Sequence, residues 1–150
     1  MQRTLVLLKP DSVQRGLLGE LISRIERRGL RLVAMKLIQV NETLARQHYS
    51  DHITKPFFPG LVKFITSGPL LAIVTEGENA VKIIRSLMGP TDPKDAPPGT
   101  IRGDFATSVG PNLIHGSDSV DSATREISLF FSPDEIISYT RDIEKWIIES

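Results

Sequence analysis

The chain has 150 residues, with 18 basic and 18 acidic side chains and a formal net charge of zero. That length predicts one domain over residues 1–150, and the balanced charge points to neither nucleic acid nor membrane as a partner. The lack of cysteine excludes disulfides and thiolate chemistry. No apolar run near the start is long enough for a signal segment or a membrane span, so we expect a soluble, cytoplasmic protein.

Hydrophobic periodicity predicts four strands interleaved with helices. The predicted elements are, in chain order, a strand over residues 4–8, a helix after it, a strand over 32–40, short helices over 43–52 and 60–66, a strand over 70–74, a helix over 80–88, a strand at 114–115 and a helix over 122–130. Ser132-Pro133-Asp134-Glu135 is a capping box with proline at the first helical position, so a last helix is expected to begin there. This order predicts an α/β protein of the α+β sandwich kind: a ferredoxin-like split βαβ fold, with a four-stranded antiparallel sheet and helices packed on it.

Residues 89–99 interrupt this pattern with four prolines, Pro90, Pro93, Pro97 and Pro98. A linker between domains is one interpretation, but few residues follow it for an independent domain. We therefore expect a stiff surface loop that has a function within a single domain.

The stretch from Asn112 to Ser119 places one imidazole, His115, where a short apolar run ends at a glycine turn. Strand ends that open into polar turns are where α/β proteins present reacting side chains. A neutral imidazole is a nucleophile at physiological pH, and the neighbouring Ser117 or Asp118 could fix which ring nitrogen carries the proton. A histidine that only satisfies a turn is the alternative interpretation of this stretch alone.

The chain has neither a P-loop nor a Rossmann glycine motif, so any phosphate must be held by side chains. Lys9, Arg85 and Arg102 each stand among less polar neighbours and are the candidates, since a cation forms charge-assisted hydrogen bonds with phosphate oxygens. Each of them could equally be a solvated surface charge. Only convergence on one site would favour phosphate binding.

Several other residues have both a functional and an ordinary interpretation. His48 and His52 would share one face of the predicted helix over 43–52, but the glutamate of a zincin is missing and no third metal ligand is evident nearby. Phe57, in a loop, is either a core residue or a platform on which a base stacks. Glu126 is, taken alone, an exposed helix charge.

Motifs along essentially the whole chain resemble those of nucleoside diphosphate kinases. Asn112-Leu-Ile-His-Gly-Ser-Asp-Ser119 is similar to the active-site signature of that family. The other matching motifs are Leu8-Lys-Pro-Asp-Ser-Val-Gln-Arg-Gly16, Lys55-Pro-Phe-Phe58, Ser67-Gly-Pro69, Pro98-Gly-Thr-Ile-Arg-Gly-Asp-Phe105, Glu126-Ile-Ser-Leu-Phe130 and Trp146-Ile147. Several independent motifs in the right order make the match highly specific.

The resemblance implies an enzyme that transfers the γ-phosphate of a nucleoside triphosphate, chiefly ATP, to a nucleoside diphosphate by a ping-pong route through a phosphohistidine. By this resemblance His115 is the nucleophile, and Ser117 and Glu126 orient and polarise it. The other implied roles are sugar contacts from Lys9 and Asn112, a position beside His115 for Tyr49, phosphate contacts from Arg85, Thr91 and Arg102, a further contact from His52, and base stacking on Phe57 and Val109. A site that stacks the base without reading it implies broad base and sugar specificity.

The resemblance also implies partners. Mg²⁺ would ride on the nucleotide phosphates without a direct protein ligand, and would touch Asp118 at most through water. Family members form dimers that assemble into hexamers or tetramers, and the proline loop and long C-terminal segment are similar to the hexameric kind. Pro90, Asp92 and Pro111 depart from the usual pattern, but none of them removes a reacting group.

Two other functions stay open at this point. A ferredoxin-like module for RNA or a small regulatory ligand would be favoured by a basic stripe on the sheet, but the net charge is zero and no aromatic RNA-binding strand motif appears. A catalytically silent relative would be expected to have lost the nucleophile or a phosphate clamp, yet both are present.

Overall fold

A four-stranded sheet forms the centre of the computed structural model, which describes residues 1–150. Its strands are β1 (Gln2–Leu8), β2 (Arg31–Ile38), β3 (Leu70–Gly77) and β4 (Ile114–Gly116). The helices are α1 (Pro10–Gln14), α2 (Leu18–Arg27), α3 (Glu42–His48), α4 (Phe58–Ile65), α5 (Ala80–Met88), α6 (Ile101–Phe105) and α7 (Val120–Phe130). Single 3-10 turns lie at Ser50–His52, Pro93–Asp95, Pro133–Glu135 and Glu144–Trp146.

The strands lie in the order β2-β3-β1-β4, and every neighbouring pair is antiparallel. β1 therefore runs through the middle of the sheet, with β3 on one side and the short β4 on the other. This arrangement confirms the predicted split βαβ sandwich with helices packed on an antiparallel sheet.

The core lies on both faces of the sheet, which explains the continuous apolar run in β1. Val6 and Leu8 belong to a cluster with residues of α2 and α5, whereas Leu5 and Leu7 belong to a cluster with residues of α3, α4 and α7. All four side chains are fully buried. Alternation along a strand sends them to opposite faces, and each such burial contributes about 1.5–3 kcal/mol.

The pairing of β4 with β1 decides where the imidazole of His115 lies. His115 is directly opposite Leu7 in the register, and residues directly opposite each other share one face of a sheet. The imidazole therefore lies on the face that α3, α4 and α7 cover. The Ser119 hydroxyl caps α7 by accepting a hydrogen bond from the Ser122 amide at 3.0 Å, so this helix begins at Val120, five residues after His115.

Several helices differ from the sequence prediction. α1 and α6 were not predicted, and the helix predicted over 43–52 ends at His48, because Tyr49 leaves the helical region with φ −96° and ψ 27°. His48 and His52 consequently do not share a face of one helix, and that part of the prediction is wrong. None of the helices is long and apolar enough to pass through a bilayer.

The predicted last helix is also wrong, because only the 3-10 turn Pro133–Glu135 forms there. The capping box itself is present, with the Ser132 amide donating to the glutamate carboxylate at 2.8 Å. Two residues beyond the turn, the Ile137 amide donates to the carbonyl of Val33 in β2 at 2.8 Å. Pairing with the edge of the sheet thus replaces the next helical hydrogen bonds.

Candidate active site

A chain of hydrogen bonds runs from the backbone of β1 to the imidazole of His115. The Leu5 amide donates to Ser117 Oγ at 3.3 Å, and the Ser117 hydroxyl donates to Glu126 Oε1 at 2.7 Å. The same oxygen lies 2.8 Å from His115 Nε2. Ser117 is fully buried and Glu126 is only 6% exposed, so these bonds fix the orientation of the ring.

The charge on Glu126 determines which nitrogen of the ring carries the proton. Burial alone would raise the pKa of Glu126, but the hydrogen bond from His115, the charge of His115 and the hydrogen bond from Ser117 outweigh it and hold that pKa below its ordinary value. A carboxylate only accepts hydrogen bonds, so Nε2 of the ring must be the donor. The lone pair of neutral His115 is then on Nδ1, and the side chain remains 22% exposed.

Lys9, Asn112 and Thr91 form a second hydrogen-bond network, in addition to the triad of His115, Ser117 and Glu126. The Lys9 ammonium donates to Asn112 Oδ1 at 2.8 Å, and Asn112 Nδ2 donates to the Thr91 carbonyl at 3.0 Å. Burial, followed by the charge of Arg102, lowers the pKa of Lys9 to about 8, although the charge of Asp11 opposes them. The network connects the end of β1 to the proline loop and leaves donors of the ammonium for a ligand.

Arg102 is a buried support for the loop that precedes β4. Its guanidinium donates to the carbonyls of Asn112 at 3.1 Å, Gly89 at 2.9 Å and Ile114 at 2.6 Å. Burial, with the charge of Arg85, lowers the pKa of Arg102 to about 10. The charge of one predicted phosphate ligand, Arg85, thus acts on another, Arg102, but backbone carbonyls occupy most of the donors of Arg102.

The backbone immediately before His115 is strained. Leu113 has a φ of 77°, unusual for a residue other than glycine, and the Ile114 amide closes a three-residue turn on the Asn112 carbonyl at 2.9 Å. Asp11 Oδ2 accepts from the Leu113 amide at 3.0 Å, and the Ser12 hydroxyl donates to the Leu113 carbonyl at 2.6 Å. These bonds from α1 hold the turn that presents β4.

His48 contacts the imidazole of His115, a position that sequence reasoning missed. The rings of His48 and His115 meet edge-on with their centroids 4.6 Å apart. The ring of Tyr49 packs against His48, with the centroids 4.7 Å apart. His48 is 4% exposed, and burial, with the charge of His115, lowers its pKa to about 3. Burial and the charge of Glu126 raise the pKa of Tyr49 to about 12, so the tyrosine is neutral and near the triad.

The signal that could have located His48 is weak. Ala45 and His48 are the buried residues of α3 and lie three positions apart, as expected for the inner face of a helix. That pattern places the ring inside the protein, but the sequence does not show that His115 lies opposite it.

The residues predicted to hold the base are exposed apolar side chains. Phe57 is 53% exposed and Val109 is 51% exposed. The His52 ring lies 5.4 Å from Phe57 and 6.4 Å from Tyr49, so aromatic contacts connect Phe57 with the triad. A base held between Phe57 and Val109 stays a prediction.

Asp118, which is predicted to touch a magnesium ion through water, is an ionised carboxylate near Arg85. A hydrogen bond from Ser122 is the main reason that the pKa of Asp118 is low, and the charge of Arg85 adds to it against the effect of burial. Asp118 and Arg85 both line an open depression of about 570 Å³. A carboxylate is a ligand that Mg²⁺ prefers, while arginine suits the phosphates that carry the ion.

Comparison with known proteins agrees with this geometry. The family described as nucleoside diphosphate kinase matches residues 2–136. A nucleoside diphosphate kinase of Archaeoglobus fulgidus is 56% identical over 149 residues, which cover 99% of either chain, and one of Thermus thermophilus is 57% identical over 91% of this chain and 100% of its own. The structure of a halophilic nucleoside diphosphate kinase from Halobacterium salinarum in complex with CDP superimposes with a TM-score of 0.97 at 52% identity and covers 99% of either chain.

Proposed function

The chain belongs to the nucleoside diphosphate kinase family of phosphotransferases, and we propose that it moves the γ-phosphate of a nucleoside triphosphate to a nucleoside diphosphate through a phosphohistidine on His115. One observation carries the proposal. The Glu126 carboxylate holds Nε2 of His115 at 2.8 Å, so the other ring nitrogen, Nδ1, keeps the lone pair that a nucleophile needs.

In the first half-reaction, Nδ1 of His115 attacks the γ-phosphorus. A bond forms between Nδ1 and phosphorus, the bond from phosphorus to the β–γ bridging oxygen breaks, and the nucleoside diphosphate leaves with that electron pair. The ring becomes positively charged as it bonds to phosphorus, with the proton still on Nε2. The carboxylate of Glu126 lies where it stabilises this developing charge.

In the second half-reaction, a terminal phosphate oxygen of another nucleoside diphosphate attacks the same phosphorus. The Nδ1–phosphorus bond breaks and its electrons return to the neutral ring of His115. The same groups can serve both halves because donor and acceptor place the reacting phosphorus at the same point. The covalent intermediate therefore allows one pocket to serve both nucleotides.

The surrounding side chains position the nucleotide rather than react with it. We assign Lys9 and Asn112 to the sugar hydroxyls, and Arg85, Thr91 and the free donors of Arg102 to the phosphates, where charge-assisted hydrogen bonds are strongest. When bound on the phosphates, Mg²⁺ supplies further charge neutralisation. Asp118 would contact its water shell.

The base specificity follows from the exposed platform at Phe57. Stacking on an aromatic ring contributes about 1–3 kcal/mol and tolerates any base. We therefore infer activity with purine and pyrimidine nucleotides, and with ribose and deoxyribose, with ATP as the chief donor. The hexamer and the cytoplasmic location expected from the sequence stay predictions.

The test is to mix the protein with terminally labelled ATP in the absence of an acceptor. The protein should take up one label per chain, in a bond that acid breaks and alkali leaves intact, and any nucleoside diphosphate should discharge it. The variant His115→Gln should take up no label. A label that resists acid would instead be an ester of serine or threonine, and labelling of His115→Gln would refute the proposal.

A further inference from the structure

His48 is a buried histidine that the proposed reaction does not use. The side chain is 4% exposed, and neither Nδ1 nor Nε2 has a hydrogen-bond partner. Buried polar groups are nearly always hydrogen-bonded, because leaving one unpaired costs about 1–3 kcal/mol. Because no protein group engages either nitrogen, the ring is free to bind a further partner.

The unpartnered ring lies inside a cluster of metal-ligand side chains. His48, His115 and Glu126 each offer one ligand atom, and these atoms lie within 4.8 Å of one another. The three come from α3, β4 and α7, so the fold assembles them from distant parts of the chain. Two imidazoles and a carboxylate form a common ligand set for zinc, with a fourth position open to water.

We propose that His48, His115 and Glu126 form a binding site for Zn²⁺ that switches off the nucleophile. Imidazole nitrogen suits zinc and related transition metals, whereas Mg²⁺ prefers sets of oxygen ligands. The site therefore discriminates against the ion that accompanies the nucleotide. The 22% exposure of the His115 side chain gives the ion a path from solvent.

Two cations oppose the binding of zinc and set a limit on its affinity. Arg125 Nη2 lies 4.0 Å from Glu126 Oε2, and the charge of Lys9 also acts on His48. A single carboxylate among these charges predicts reversible binding rather than the permanent metal of a closed structural site. This fits a regulatory ion better than a resident one.

The inhibitory effect rests on the proposed function, whereas binding of the ion does not. A bound ion occupies one nitrogen of His115. If the ion takes Nδ1, the nucleophile is blocked directly; if it takes Nε2, the proton of the neutral ring moves to Nδ1 and removes the lone pair. Either way the ring cannot attack phosphorus until the ion leaves.

Binding is tested with Zn²⁺ alone, with no nucleotide present. Titration calorimetry should give one Zn²⁺ per chain and no binding of Mg²⁺ at the same concentration. X-ray absorption of the zinc-loaded wild-type protein should show two imidazoles and an oxygen at about 2.0–2.2 Å. Zinc held by no imidazole or by a single one would overturn the proposal, whatever the behaviour of any variant.

Two variants distinguish the three histidines of the chain. His48→Phe keeps an aromatic ring but removes both nitrogens, and should weaken binding of Zn²⁺ at least about tenfold. His52→Gln removes the remaining histidine outside the cluster and should leave the affinity for Zn²⁺ unchanged. Equal affinity in His48→Phe and wild type, with circular dichroism showing a folded variant, would overturn the proposal, as would loss of binding in His52→Gln.

The effect on chemistry is measured separately. Protein loaded with one equivalent of Zn²⁺ should form phosphoenzyme from Mg²⁺–ATP at least tenfold more slowly than zinc-free protein, and a zinc-selective chelator should restore the rate. Undiminished labelling at full zinc occupancy would overturn the inhibitory role. Failure of the zinc-free protein to label at all would instead refute the phosphohistidine, while leaving the zinc titration unaffected.

Discussion

Replacing Glu126 by glutamine tests whether the carboxylate stabilises charge on the ring or only orients it. A glutamine Oε1 can still accept hydrogen bonds from His115 Nε2 and from the Ser117 hydroxyl, at the positions that now lie 2.8 Å and 2.7 Å away. The proton should therefore stay on Nε2 and the ring should keep its orientation. Only the negative charge is lost.

The size of the effect follows from that distance. Two full charges 2.8 Å apart interact with about 6 kcal/mol at an effective dielectric constant of about 20. If about half of a positive charge has developed on the ring in the transition state, the variant loses about 3 kcal/mol. This corresponds to a roughly 100-fold slower formation of phosphoenzyme.

Rapid-quench measurement of label uptake from ATP gives this rate directly. Asp121→Asn is the matched control, since it also removes one negative charge from α7 but at an exposed position, and its rate should stay within about twofold of wild type. A folded Glu126→Gln protein that labels as fast as the control would refute electrostatic stabilisation. Glu126 would then serve orientation alone.

The other predictions concern Lys9, the base platform and the assembly. Burial lowers the pKa of Lys9 from 10.5 to about 8, so between these pH values the folded state binds fewer protons than the unfolded state. The free energy of unfolding should therefore rise between pH 8 and 10.5 by up to about 1.4 kcal/mol per pH unit. Urea titrations should show this rise relative to Lys9→Met, and parallel profiles would contradict it. Phe57→Ala should weaken binding of ADP, GDP and CDP by similar factors, worth about 1–3 kcal/mol; a loss confined to one base would contradict stacking. Sedimentation equilibrium should give a hexamer, and a tetramer or dimer would disprove that prediction.

The sheet could be predicted from sequence because the local pattern of apolar residues in its strands indicates how each strand is buried. β1 is buried on both faces, so its apolar run is continuous. This run predicts a buried strand without any knowledge of the elements that pack against it. The segment after Glu135 behaves differently. A capping box favours one helical turn, but whether the helix continues depends on the Val33 carbonyl, which lies about a hundred residues earlier in the chain.

The sequence motif singles out His115 as the proposed nucleophile, but it does not predict which side chains surround the ring. The register that sets His115 opposite Leu7 brings α7 over the ring, and no local pattern contains that register. Arg102 illustrates the same limit: its sequence position is that of a phosphate ligand, whereas three backbone carbonyls bind most of its fork. The contact between His48 and His115 depends on how α3 and β4 lie relative to each other, which neither segment of sequence shows alone.

The strained turn at Leu113 helps to fix the position of the His115 ring. A residue of this type at positive φ costs about 1–3 kcal/mol, so the turn persists only if other bonds outweigh that cost. Three bonds fix the Leu113 peptide groups: its amide to Asp11 at 3.0 Å, and its carbonyl to the Ser12 hydroxyl at 2.6 Å and to the Lys9 amide at 2.9 Å. At about 0.5–1.5 kcal/mol each, they are sufficient to hold it.

All three of these bonds come from the short segment that follows β1, and the same segment supplies the Lys9 ammonium to Asn112. The turn that presents His115 and the cation assigned to the sugar are therefore fixed by one piece of backbone. A displacement of this segment would move both together. Because hydrogen bonds within the protein fix both groups, we expect little reorganisation during the proposed reaction, which is the condition under which fixed charges stabilise a transition state most effectively.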